Sequence, residues 1–264
     1  ENGIGPEGAK ALAVALTPNE EGVFNTSLRT LDLGSNNIGP EGAKALAVAL
    51  TPNAEGVFNT SLDIVTITAK VVLPIGALRR NELTELDLSR KDLKPEDAII
   101  LGAALVSNGS LNTLDLGGNS VGPAGAKALA VALTPNAEGV FNGSLNTLNV
   151  WRNAVQLEGA RALADAMRHR NAPFKLCGNL LDVEELDLSF TRHSPKRLEP
   201  ADAILLANDL VFNGSLSTLN LAGNFIELEE AKALITALTP NDEGVFNKSL
   251  RTLDLGGGVA TPLA

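Results

Sequence analysis

The sequence has 264 residues, 44% of them hydrophobic but only 3% aromatic, with a net charge of −10 and a pI near 4.8. This is the composition of a globular chain with an aliphatic core, and its acidity repels phosphate, so neither nucleic acid nor an anionic membrane surface is an expected partner. Cys177 is the single cysteine, which excludes an internal disulfide and favours an intracellular setting, cytoplasm or organelle interior; no targeting peptide is visible, and no run of ~18 apolar residues offers a transmembrane segment.

The chain opens in the middle of a pattern. Asn2 and Ile4 occupy the places that Asn36 and Ile38 hold one unit later, so further sequence is expected before Glu1. The first complete unit is 28–50, LRTLDLGSNNIGPEGAKALAVAL. Leu31 and Leu33 lie two apart and face one side of a strand, while Thr30, Asp32 and Gly34 face the other. Asn36 turns the chain by bonding backbone groups that the bend leaves unpaired. Pro40 opens a helix at a position where its missing N–H costs nothing. Ala43, Leu46, Ala47 and Leu50 then line one helical face. A unit of this size cannot bury its apolar face alone, so units must stack.

The ladders begin at Leu28, Leu62, Leu83, Leu111, Leu145, Val183, Leu216 and Leu250, spaced 34, 21, 28, 34, 38, 33 and 34. This predicts parallel strands centred on 31–33, 65–67, 86–88, 114–116, 148–150, 186–188, 219–221 and 253–255. Helices are expected over most of 6–16, 40–50, 95–105, 123–133, 157–168, 200–211 and 229–238. The longer units carry TPNEEGVFN (17–25), TPNAEGVFN (51–59 and 134–142) and TPNDEGVFN (239–247). There Pro stops the helix, Asn and Gly turn the chain, and Val-Phe returns to the core. Phe24, Phe58, Phe141, Phe212 and Phe246 are expected to stack as a spine, with a docking groove under the inserts as the sharper alternative. Two units break the rhythm. Unit 62–82 is short and contains Pro74, leaving room for little or no helix. Unit 145–182 is long and ends in RHRNAPFKLCGNLLD.

The pattern L-x-x-L-x-L-x-x-N-x-L, carried by Leu28, Leu31, Leu33, Asn36 and Ile38 and repeated along the chain, resembles that of leucine-rich repeat proteins of the ribonuclease-inhibitor type. The resemblance implies an α/β fold, a right-handed leucine-rich repeat solenoid or horseshoe. Its parallel sheet lines the concave face and its helices lie on the convex face. The expected domain is 1–264, one array of about eight strand–helix repeats that starts and ends within the array. Strand 253–255 is expected to end the sheet with its outer edge unpaired. At least one end of the array is expected to be covered, by further repeats or by another subunit.

Chemistry is sparse. His169, His193 and Cys177 do not share a zinc-type spacing, and Cys177 reads as a small buried residue. GPAGAKAL (122–129) lacks the spacing and hydroxyl of a P-loop, and Gly256–Gly258 is no dinucleotide fingerprint. No catalytic residue, cofactor or metal is expected. The middle strand position reads Asp32, Thr66, Asp87, Asp115, Asn149, Asp187, Asn220 and Asp254, and on the concave face it makes an acidic column. Asp87, Asp115 and Asp187 are its candidate protein-binding residues, and an acid–base pair is the rival reading. Trp151 stands where other units carry Gly, Ser, Thr or Ala, so an exposed binding anchor is expected there, with Arg152 beside it and Phe190 nearby. Arg79, Arg80, Arg90, Lys91 and Lys94 form one basic group. Arg168, Arg170, Lys175, Arg192, Lys196 and Arg197 form another. Both lie in irregular units and read as solvated charges or a contact rim. The expected function is a non-enzymatic protein-binding scaffold, a structural subunit or docking element of a larger assembly that meets protein partners on the concave face and at the open ends. The alternative is a regulator, a GTPase activator using Arg152 or a ligand-sensing receptor domain, since both kinds of protein resemble these repeats.

Overall fold

In the computed structural model the described residues are 2–53, 56–68, 71–137, 139–168, 173–191, 197–241, 244–256 and 261–262. Among them the helices are α1 (Gly5–Leu16), α2 (Gly39–Leu50), α3 (Ile75–Arg79), α4 (Pro95–Val106), α5 (Gly122–Leu133), α6 (Gln156–Met167), α7 (Pro200–Phe212) and α8 (Leu228–Leu238). The strands are β1 (Thr30–Asp32), β2 (Ile64–Thr66), β3 (Val72–Leu73), β4 (Glu85–Asp87), β5 (Thr113–Asp115), β6 (Thr147–Asn149), β7 (Glu185–Asp187), β8 (Thr218–Asn220), β9 (Thr252–Asp254) and β10 (Thr261–Pro262). Each long helix falls within a residue of its expected start and end, and each ladder strand lies one residue before its expected centre.

The units stack as a solenoid, with short parallel strands on one side and helices on the other. Ladder residues pair in register: Leu31 with Val65, Leu86 with Leu114 and Leu114 with Leu148, Leu186 with Leu219 and Leu219 with Leu253. Behind them one continuous apolar core runs from Ala9 to Leu250. Helices approach closely where the GPEG and GPAG motifs place glycine: a Cβ on Gly42 would sit 2.9 Å from the Cβ of Ala9, and one on Gly125 2.7 Å from that of Ala98.

All eight expected strands are present, but the sheet they form is not continuous. It falls into β1–β2–β3, β4–β5–β6 and β7–β8–β9–β10. The first break is the short unit. Val72–Leu73 folds back antiparallel on β2, and the helix that follows has only five residues, because 21 residues cannot hold both a strand and a full helix. The second break holds a ladder that the spacing concealed. Phe174, Leu176 and Asn179 repeat the L-x-L-x-x-N order, and this segment bridges in parallel to β6 through Thr147 and Lys175. The helix layer crosses the first break, where α2 packs directly on α4. At the far end β9 is not bare, since β10 pairs with it antiparallel.

The expected phenylalanine spine is replaced by asparagines. Phe141 and Phe212 are exposed, as are Val23, Val57 and Val140, and Phe24, Phe58 and Phe246 are half-buried. After Phe58, Phe141 and Phe246 it is the next residue that reaches inward. Asn59, Asn142 and Asn247 are buried. Each donates its amide to two carbonyls of the preceding unit and accepts a backbone N–H from its own. Asn108 and Asn213 do the same with one carbonyl each. A second asparagine row, Asn119, Asn153 and Asn224, bonds the preceding strand end in the same manner. A narrow polar amide satisfies both units at once, which the phenyl ring cannot do.

Candidate functional site

Each strand ends in a turn, and the strand-face column sits at its mouth. The column side chains close these turns. The carboxylates of Asp32, Asp87, Asp115, Asp187 and Asp254 each accept the N–H two residues on, from Gly34, Ser89, Gly117, Ser189 and Gly256. Asn149 and Asn220 do likewise for Trp151 and Ala222. Asp87 lies in register with Asp115, but Asp115 binds the Asn149 amide at 2.9 Å. The Asp87 carboxyl is held below the usual carboxylate range by the Ser89 hydroxyl and N–H, and that of Asp187 by the N–H and hydroxyl of Ser189. A general acid needs the opposite environment, one that drives a carboxyl upward.

Trp151 is not an exposed anchor. It is 9% exposed and belongs to the apolar core. Its N–H is taken by Asn149, and its carbonyl accepts the N–H of Gly118 at 2.9 Å. The main chain that follows β6 in space is the concealed ladder, whose Leu176 carbonyl takes the Val150 N–H, so the side of β6 that the spacing left open is occupied. Arg152 is exposed at the tip of the turn with φ +57°. Phe190 is half-buried, with its ring 4.5 Å from the Arg197 guanidinium, which in turn stacks at 3.8 Å on Phe225. Phe225 is 72% exposed, at φ +54°. Sequence reasoning did not single out Phe225, although a bulky residue two positions after a strand-end turn glycine is a visible signal.

The basic groups are largely met by acids. Arg80 bridges Asp63 and Glu82, Lys94 bonds Asp92, Arg168 bonds Asp165, and Lys175 bonds Asp182. Arg79 turns inward to the Asn59 carbonyl and over the Phe58 ring; burial lowers its pKa to about 10. His169, Arg170, Arg192, His193 and Lys196 lie outside the described residues. Among the described residues no set of three His, Cys, Asp or Glu side chains gathers to hold a metal. No helix there is long and apolar enough to cross a membrane.

Among the described residues four buried acids escaped the sequence reading: Asp97, Asp202 and Glu230 in the first turns of their helices, and Asp209. Asp209 of α7 accepts the N–H groups of Leu176 and Cys177, both at 2.7 Å, and so clips the concealed ladder to the helix layer. It stands where α2 carries Ala49, and an acid at an inward helical position was the available signal. Burial pushes its pKa up to about 6 against those hydrogen bonds, and burial likewise pushes the Cys177 thiol up. A carboxyl raised in the folded state contributes stability that is complete below its unfolded value and lost as pH rises through about 6. A rise of roughly two pH units corresponds to about 3 kcal/mol. Relative to Asp209→Asn, the native chain should therefore lose up to that amount between pH 4 and pH 7. Urea melts of both proteins across this range measure it; a difference that does not change with pH would contradict the assignment.

The family model described as Leucine Rich repeat matches residues 1–13, 24–47 and 107–130. No curated protein matches the chain. The matched segments 24–47 and 107–130 have the same strand, asparagine turn and helix as the units at 145–167 and 216–238, and the matched segments of this chain are leucine-rich repeats.

Proposed function

We propose that this protein is a non-enzymatic scaffold that binds a protein partner, as a docking element or subunit of a larger assembly, through the strand face and the turns above it. In this reading the array is of the ribonuclease-inhibitor type, a right-handed horseshoe whose concave face carries the strands. The observation that supports it is the strand-face column. Asp87 and Asp187 are exposed and kept ionised by their own turns, so their charges are fixed in place without costing the fold. A rigid row of acids suits a cationic protein surface, and leucine-rich repeats generally mediate such contacts. Arg152, Phe190 and Phe225 lie at strand-end turns, and with Arg197, which stacks on both rings from the segment before α7, they add groups typical of binding hot spots.

The test exploits the turn chemistry. Asp87→Asn combined with Asp187→Asn keeps an oxygen for each turn N–H and removes only charge. The expected result is an unchanged melting temperature and at least a tenfold weaker affinity for the partner recovered from the native source, with cross-links mapping to the strand face. Cross-links confined to the helix face would overturn the reading. The regulatory alternative rests on Arg152, presented on a turn that Asn153 fixes through three carbonyls. Acceleration of GTP hydrolysis that Arg152→Ala abolishes would favour it.

A further inference from the structure

Phe225 sits where the turn itself has no use for a large ring. The matching turn residues of other units, Gly3, Asn37 and Ala154, share its left-handed φ and are small or polar. A phenylalanine there strains the backbone, and this ring is 72% exposed besides. What it touches is Arg197, whose guanidinium lies 3.8 Å from the Phe225 ring and 4.5 Å from that of Phe190. Hydrogen bonds of the two turns set this arrangement. Buried Asn224, next to Phe225, accepts the N–H of Leu198, next to Arg197, at 3.0 Å. The Phe190 N–H donates to the Ala222 carbonyl at 2.8 Å. A Cβ on Gly223 would fall 2.5 Å from the Phe190 carbonyl oxygen, so glycine is required for the turns to close this far.

The cluster holds no acid. Arg197 Nε is buried without a hydrogen-bond partner, and among the described residues no carboxylate pairs with this guanidinium. The acids of the two turns and of the helices that follow them are engaged. Asp187 is held by Ser189 and Asn220, Glu199 and Asp202 close the cap of α7, and Glu227 and Glu230 close that of α8. The five residues before Arg197 in sequence, RHSPK, include no acid.

We propose that Phe190, Arg197 and Phe225 recognise an acidic side chain of a partner peptide, its carboxylate on the open edge of the guanidinium and an apolar neighbour on the Phe225 ring. A guanidinium stacked between two rings meets a ligand only in its own plane, along the edge that carries both Nη groups, which is the geometry of a bidentate carboxylate. The rings also displace water from the cation and so strengthen the bond it makes. In a chain of net charge −10, a singly charged carboxylate is repelled less than a phosphate dianion. The inference rests on the scaffold reading only for the existence of a protein partner; the charge it recognises is opposite to that expected at the acidic column.

The test is titration of the full chain with dansyl-Gly-Phe-Glu-Phe-Gly-amide, beside the same peptide with Gln or phosphoserine in place of Glu. The Glu peptide should bind saturably and one-to-one, at least tenfold more tightly than the Gln peptide. Arg197→Gln should abolish that difference. Phe225→Asn should weaken the Glu peptide at least tenfold while the melting temperature stays or rises, because asparagine takes the left-handed turn with little strain. Arg152→Gln, at a turn without stacked rings, should leave binding unchanged. Absence of saturable binding, equal affinity for the Glu and Gln peptides, or a Phe225→Asn chain that melts lower yet binds as before would each overturn the proposal. So would tighter binding of the phosphoserine peptide, which would assign the site to a phosphopeptide. No native partner is needed, so any of these failures is separable from a failure of the scaffold reading, which the Asp87 and Asp187 substitutions test.

Discussion

Asn142→Ala is expected to lower the unfolding free energy by about 4 kcal/mol, since it strands two buried carbonyls and a buried N–H, each worth roughly 1–3 kcal/mol. Asn142 is fully buried. Its amide serves the carbonyls of Leu105 and Asn108 at 2.8 and 2.9 Å, and its oxygen takes the Leu145 N–H at 2.9 Å. Alanine supplies none of these bonds, and a pocket shaped for an amide admits no ordered chain of water without rearrangement. Asn142→Asp should be no rescue, because a carboxylate would face two carbonyl oxygens. Asn25 occupies the same place one unit after α1, but it is exposed and its oxygen bonds only the N–H groups of Ser27 and Leu28 and the Ser27 hydroxyl. Asn25→Ala should cost under about 1 kcal/mol, the usual size of an exposed side-chain bond. Denaturant melts of the two variants make the comparison; equal losses would show that the asparagines act within their own turns and not between units.

Trp151→Ala is expected to cost a similar amount, about 4 kcal/mol, the range for removing a large aromatic from a packed core. A binding anchor would behave in the opposite way, losing affinity at constant stability. Since Trp151 is the only tryptophan, its fluorescence reports the site directly. Emission from the folded chain should be blue-shifted and poorly quenched by iodide, and both properties should vanish on unfolding. A red-shifted, readily quenched tryptophan in the folded chain would sink this assignment and restore the exposed reading.

How much of this was legible in the residues depends on the range of the interaction involved. The helices were legible almost to the residue. Pro at the first turn, a face of Ala and Leu, and Thr at the end are local signals, and the Thr17, Thr51 and Thr134 hydroxyls do bond back into the last turn. The strand column was legible as a column but not as chemistry. Its acids are exposed or half-buried, as periodicity requires, yet their main task is to hold their own turns, which an alternation pattern does not reveal. The phenylalanines attracted attention because large apolar residues ordinarily go inside. The inserts instead ask for a group that bonds two backbones at once, and the adjacent asparagine is that group.

Period and side-chain polarity within each unit were enough to determine that this chain stacks strand–turn–helix units around an aliphatic core. Only the tertiary structure decided what happens where units differ in length. The short unit has no full helix, so α2 packs directly on α4. The long unit hides a ladder beside β6, which encloses Trp151 and is clipped by Asp209 from a helix 32 and 33 residues away in sequence. These outcomes depend on which neighbour a unit meets in space, and spacing along the chain carries that information only while the units remain equal.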